Sequence, residues 1–477
     1  MAEIEKAHGI HRTRRRTQFS PPARLSSLPR ITRTQRTWCV LLGSLFAFDV
    51  VDIYSFSYVA PTITKEWGLS LHSTGIATSS TFLGMFFGAV AGGRISDLVG
   101  RRRTIVGGVV LFSVASLLTT FADSVAHLVV IRFVNGFGIQ ATTGVLIVYV
   151  AEMFPRASRG RHQSLLLAIG LLGVPLAAGF ARIVVPLGEG SWRWMFVLGA
   201  VGIVPGLAAL RVLPESVRWQ CARGQVEQAT ATVERLEAEA ERQYGTLPTP
   251  VEEPPVLPMG LRELVRGSNA RNLLVGAVTM VLVSFAFFGF NAYVPTLLVE
   301  HGYSHSASLT LTLVFSLAAV PGALLAWPLV DRWERKWSFL VLTLLAAALL
   351  LCFGLTGSAV VVAGCGFLLS MLLQTATAVL YAYLPELFPT PLRGLGAGTS
   401  NGLGRLSVFS GGFLFAPMLH GLGFTGFFTV IAMILVLGGA VAGVFGIRTA
   451  GRALRESTVL PPGTSAHHAV PSLKESL

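Results

Sequence analysis

Runs of roughly 20 apolar residues, each long enough to cross about 30 Å of hydrocarbon, recur along this chain. They fall near 38–59, 75–93, 104–122, 126–148, 164–186 and 194–212. After a polar break they resume near 272–295, 309–330, 338–356, 359–383, 396–419 and 424–447. A soluble helical core would show amphipathic stripes in place of unbroken apolar windows. The expectation is an all-α membrane protein of about twelve transmembrane helices, in two six-helix bundles. Composition agrees. Only 13% of the 477 residues are charged, against about 25% in ordinary soluble domains, and the mean hydropathy is +0.64.

The net charge of +13 is unevenly placed. Arginines crowd the N-terminal segment (Arg12, Arg14, Arg15, Arg16, Arg24, Arg30, Arg33, Arg36). They return at Arg101–Arg103, at Arg156, Arg159 and Arg161, in the central break, at Arg332 and Arg335, and at Arg448, Arg452 and Arg455. The alternate connections hold few basic residues. By the positive-inside rule both termini and the central loop are expected in the cytoplasm, with the chain in the cell (inner) membrane. The predicted organisation is a disordered basic tail over 1–36, a first bundle over 37–212 and a cytoplasmic loop over 213–271. A second bundle over 272–448 and a tail over 449–477 complete it. No aromatic residues alternate with the arginines, which argues against nucleic-acid binding. Cys39, Cys221, Cys352 and Cys365 lack metal-ligand spacing, so no metal, cofactor or disulfide is expected. The first apolar run begins too late and is too long for a cleavable signal peptide.

One motif is written twice. Residues 152–160 read EMFPRASRG and residues 386–394 read ELFPTPLRG. Glu152, Pro155, Arg159 and Gly160 share their spacing with Glu386, Pro389, Arg393 and Gly394. Each copy follows one apolar run and precedes another. A duplicated helical unit is how many secondary transporters are built.

Ionisable side chains inside the apolar windows cost roughly 2.5–3.5 kcal/mol each on insertion scales. Asp49 and Asp52 are three residues apart, so they share a helical face. A helix entering near residue 38 brings Asp52 about 21 Å up, and one entering from the other side near 126 brings Arg132 about 9 Å down. Those depths nearly coincide across a core of about 30 Å, so an Asp52–Arg132 pair is expected. A proton switch and a fixed strut between helices both fit such a pair. Asp49 fits proton handling or substrate contact. Arg405 falls near the midplane, where its planar fork suits a carboxylate; pairing with a first-half acid such as Asp49 is the alternative. Asn135, Gln140, Asn291, Gln374 and Asn401 are polar candidates for a cavity, or hydrogen bonds between helices. Tyr54, Tyr58, Tyr293 and Tyr381, with Phe285, Phe288 and Phe290, could stack on a flat ring or simply pack.

These residues sit among motifs that resemble the major facilitator superfamily over about residues 37–448. GRISDLVGRRR (Gly93, Asp97, Gly100, Arg101, Arg102), RFVNGFG (Arg132, Gly136, Gly138) and PESVRW at 214–219 carry the resemblance. The second-half copy, DRWERK, keeps Asp331 and Arg332 but has Glu334 where Gly is usual. The first span, FAFDVVDIYSFSYVAP, and the seventh, FFGFNAYVPTLL, look like the niacin and aromatic-acid:proton symporter branch. Sugar porters usually carry a Gln pair where this chain has Ser284 and Phe285, and a Trp where it has Tyr381.

The resemblance implies a monomeric secondary transporter working by alternating access, with protons and a small organic anion such as niacin or a benzoate-type acid as its partners. Asp49, Asp52 and Arg132 would couple protons. Arg405, Asn291, Tyr54, Asn135, Gln374 and Asn401 would face substrate. Gly93, Asp97, Gly100, Arg101, Glu152, Arg159, Asp331, Arg332, Glu386 and Arg393 would form a cytoplasmic gate. A sugar or polyol:proton symporter is the alternative, and drug or metabolite efflux a second, for which GLLGVPLAAG in the fifth span is an imperfect match. A transport-incompetent sensor would be expected to lose the buried charges. No nucleotide loop or nucleophile-with-base arrangement points to an enzyme.

Overall fold

A computed structural model describes residues 16, 18–252 and 260–449, with the side chains of 330–332 outside the description. The described residues are helical and contain no strand. Hydrocarbon offers the backbone no hydrogen bonds, so apolar windows of this length close their own as helices.

Among the described residues, eleven helices are long and apolar enough to span a membrane. The first six are Arg33–Trp67, Leu71–Val99, Arg101–Thr119, Val125–Met153, Arg159–Leu187 and Arg193–Val212. The next four are Gly267–Asn291, His305–Leu329, Arg335–Leu355 and Ala359–Glu386. The last, Thr390–Phe445, runs for 56 residues, about 84 Å of helix at the usual rise. Gly423 interrupts it with φ 68° and ψ −178°, a backbone state that only glycine adopts readily. Local signals set the other ends. Thr32 and Gln35 form a capping box at the start of the first span, and Ser70, Ser124 and Ser304 cap the second, fourth and eighth. Gly100, at φ 104°, turns the second span into the third in a single residue.

The second and fourth spans pack closely because glycines line their seam. A Cβ on Gly92 would meet the Ala141 Cα at 2.8 Å, and Gly84, Gly88 and Gly136 leave equally little room. Such small-residue stripes let membrane helices approach backbone to backbone. Apolar side chains from residues 264–442 form one core; those from residues 25–240, joined by Val408, form another. Between these halves the second span meets the long C-terminal helix, the fifth meets the eighth, and the first meets the segment Val294–Glu300 that follows the seventh.

One expectation is corrected here. Residues 18–36 are part of the folded first half and not a disordered tail. Pro21–Ser26 is a short helix, and Leu25, Leu28 and Ile31 are buried with Val233, Leu236 and Ala240 of the central helix Val226–Tyr244. Arg24 pairs with Glu237 at 2.5 Å, Arg16 reaches the same carboxylate at 2.9 Å, and Ser20 binds Glu252 through its backbone nitrogen at 2.7 Å. The central helix is amphipathic, and the apolar face it cannot leave in water is covered by this segment. The calls on residues 1–15 and on 450–477 lie outside the described residues.

Candidate functional site

The deepest charges of the first half converge. Asp52 and Arg132 are buried and form an ion pair, Nη1 to Oδ2 at 3.1 Å, while Nη2 donates to the Asp52 main-chain oxygen at 3.3 Å. Ser116 on the third span donates to the other carboxylate oxygen, Oδ1. The Phe56 and Phe196 rings flank the guanidinium, with centroids 5.5 and 5.8 Å from its carbon. Aromatic faces favour a cation placed over them, and together with the carboxylate they hold Arg132 in a dry site. Gly199 on the sixth span leaves the space: a Cβ there would lie 2.6 Å from the Ser116 hydroxyl and closer still to Asp52. One turn toward the basic end, Asp49 is also buried and accepts a hydrogen bond from Thr143 at 2.5 Å, while its Oδ1 finds no protein partner.

Arg405 comes from the other half. It is half-buried on the long C-terminal helix, its guanidinium carbon 5.8 Å from the Phe288 ring centre, and its Nε has no protein partner. The Tyr54 hydroxyl lies within its electrostatic reach, and the Tyr54 and Tyr58 rings stack at 6.0 Å. Phe288 meets Phe82 of the second span at 4.6 Å, so both halves contribute to this surface.

The amides scatter. Asn135 donates to the Phe112 carbonyl at 3.1 Å and its own oxygen is unpartnered. Asn291 turns back to the Phe287 carbonyl of its own helix at 3.0 Å. Asn401 donates to the Tyr381 hydroxyl at 3.0 Å, one turn from Arg405. Gln374 is half-buried in the tenth span, and the Gln140 side-chain oxygen is unpartnered in the fourth.

At the basic end the motifs lock together. Arg101 binds Glu152 through two hydrogen bonds of 3.1 Å and Asp97 at 2.9 Å. Glu215 of PESVRW accepts from the backbone nitrogens of Arg101 at 2.7 Å and Arg102 at 3.1 Å, capping the third span where the first-turn N–H groups lack partners. Ser216 donates to Glu152. Trp219 and Arg223 donate to the Asp97 carbonyl, each at 3.0 Å, closing the end of the second span. Gly100 is required where the Glu215 carboxylate approaches, since any Cβ would collide with it. Gly93 faces open space, and Arg159 begins the fifth span. In the second half Glu386 pairs with Arg335 at 3.2 Å and Arg393 donates to the Pro385 carbonyl at 3.2 Å. The Asp331 and Arg332 side chains lie outside the described residues. At the opposite end the halves touch directly: the Tyr293 hydroxyl donates to the Gly75 carbonyl at 3.3 Å, and a Cβ on Gly75 would lie 2.6 Å from the Gly412 oxygen.

Ser116, Thr143, Phe196, Gly199 and Glu215 were not singled out by the sequence reading as parts of these sites. Small polar residues in apolar spans carry no periodic signal of their own. Glu215 was legible only as part of a motif.

The chain matches the family model described as "Sugar (and other) transporter" over residues 28–460. It is 35% identical over 412 residues to a protein of Bacillus subtilis named for metabolite transport, YyaJ, covering 86% of this chain and 91% of the relative. It is 28% identical over 436 residues to the niacin transporter NiaP of Acinetobacter baylyi, covering 91% and 98%. Among solved structures, a D-xylose-proton symporter superposes with a TM-score of 0.68 at 20% identity, over 88% of this chain and 99% of that one. That likeness speaks to the fold.

Proposed function

The chain belongs to the sugar and other transporter family of the major facilitator superfamily, a multi-pass transporter of the cell membrane and not an enzyme, and on that premise we propose that it takes up a small aromatic or heterocyclic carboxylate together with protons. The observation that carries this reading is a pair of differently built sites. A carboxylate–guanidinium pair is closed off in the first half, and an arginine with an unpartnered Nε lies over an aromatic ring at the junction of the halves. A guanidinium offers a carboxylate two parallel donors, and Tyr54 and Phe288 supply flat faces for a ring. Niacin, the substrate in the name of one relative, is a ring carboxylate of this kind.

Asp52 is the proton carrier in this proposal. A carboxylate in a dry site binds a proton more readily when its cation moves away and releases it when the cation returns. Asp49, one turn away with a free oxygen, is the second proton site or a substrate contact. Counting the long C-terminal helix as two crossings about Gly423 gives twelve spans from the eleven helices. The arginine-rich end then faces the cytoplasm with both termini. The Gly75–Gly412 and Tyr293 contacts close the outer side, while each ion pair described at the basic end joins residues of one half. In the outward-facing state these networks latch the cytoplasmic side.

The test is uptake of labelled niacin and benzoate into vesicles carrying an imposed proton gradient, with and without an uncoupler. Accumulation that collapses with the uncoupler, and in Asp52→Asn, supports the proposal; undiminished accumulation in Asp52→Asn removes Asp52 from coupling.

A further inference from the structure

The Ser116 hydroxyl has one hydrogen and two acceptors. It contacts Asp52 Oδ1 on the first span and lies 3.0 Å from the Phe196 main-chain oxygen on the sixth. A serine hydroxyl supplies one donor and two lone pairs, so it cannot donate to both at once. Ser116, Asp52 and Phe196 are all fully buried, which leaves no bulk water to make up the difference. Arg132 occupies Oδ2 and the main-chain oxygen of Asp52. Oδ1 is therefore the carboxylate oxygen open to a proton.

We propose that Ser116 is a positioning residue that passes its single hydrogen between Asp52 and the Phe196 carbonyl according to whether Asp52 carries a proton. With Asp52 ionised, Ser116 donates to Oδ1. When a proton binds Oδ1, that O–H donates to the Ser116 oxygen, and the serine hydrogen rotates to the Phe196 carbonyl. No covalent bond of Ser116 breaks, and every donor keeps an acceptor in both states. The change of charge on the first span thus reaches the sixth as a hydrogen bond made or lost. It arrives just before that span's break, between Ala200 and Ile203. This inference rests on the reading of Asp52 as the proton carrier. The charged and titratable groups that face Asp52 are Asp49 on its own span and Arg132 on the fourth. Among the described residues the third and sixth spans present a hydroxyl, a carbonyl and a ring at this level.

The experiment is a pH-titrated infrared difference spectrum of the full chain in vesicles, with Asp52→Asn used to identify the Asp52 carboxyl band. Hydrogen bonds to charged groups outweigh neutral ones, so Ser116→Ala costs the ionised form more than the protonated form. The Asp52 band should change frequency. Ser116→Cys, a weaker donor of similar shape, should move it less, and serves if the alanine variant fails to fold. A band unchanged in these variants overturns the role of Ser116 while leaving Asp52 as carrier. If Asp52→Asn removes no titrating band, the carrier reading itself falls and this inference falls with it.

Discussion

Within the first half, Asp49, Asp52 and Arg132 are shut away from solvent and tied to Thr143, Ser116 and one another. Within the second, the membrane interior is lined by rings such as Phe290, Phe315, Phe353 and Phe428, and Arg405 keeps a free donor beside Phe288. Both halves answer the same penalty for charge in hydrocarbon. One answers by pairing, the other by leaving an arginine half-buried where the halves meet. An arginine paired with a carboxylate is suited to store and release a proton. An arginine with no carboxylate partner among the described residues is suited to wait for an anion that arrives from outside. The duplicated helical unit has, in the proposed reading, divided its labour.

The sharpest way to break that contrast is to unpair the first half. Arg132→Leu leaves Asp52 without its cation in a dry site and should cost about 3–5 kcal/mol, while Asp52→Asn with Arg132→Leu should recover most of it. Thermal melting of the purified variants measures both. Equal losses would mean that the pair is no tighter than its surroundings. Arg405→Lys should barely move the melting point but should raise the KM for a transported carboxylate at least tenfold, because a point charge cannot replace the fork. Gly412→Val should separate the halves at their tight contact. Labelling by an impermeant maleimide of a cysteine placed at Ser79 should rise severalfold, and protection equal to the parent's would refute that closure. Arg24→Ala should cost about 2 kcal/mol through its buried carboxylate partner and leave KM unchanged.

The smallest effect expected is on pH. Burial alone would push the Glu239 carboxyl up, but hydrogen bonds from Thr34, Thr32 and Gln243 outweigh it and hold the group below the usual carboxylate range. A depressed acid stabilises the folded form above its unfolded value and loses that contribution as pH falls through its folded value. Protection of Thr34 and its neighbours from hydrogen exchange, taken relative to the intrinsic rate at each pH, should therefore fall modestly below about pH 4; the same protection at pH 7 and pH 3 would show that Glu239 contributes nothing there.

Much of this was legible in the residues. Apolar windows located the spans because hydrocarbon leaves the helix as the available form. Depth arithmetic brought Asp52 and Arg132 to one level, where they lie 3.1 Å apart. The N-terminal segment was misread because its polar, basic composition describes the residues facing water. The few that matter, Leu25, Leu28 and Ile31, have partners more than 200 positions away. Ser116 and Thr143 were invisible for a related reason: a hydroxyl in an apolar run more often bonds its own helix, as Thr142 does with Gly138 at 2.9 Å. Gly199 was unremarkable until Asp52 and Ser116 were seen to need its missing side chain.

The clamp between residues 18–36 and the central helix bears on how this protein can be divided. Severing the chain at the end of the sixth span, near Leu213, would strip Val233, Leu236 and Ala240 from the leucines they cover and leave Arg24 facing empty space. Two separately expressed pieces should reassemble best when the cut falls after Glu252, so that the amino-terminal fragment carries its own lid.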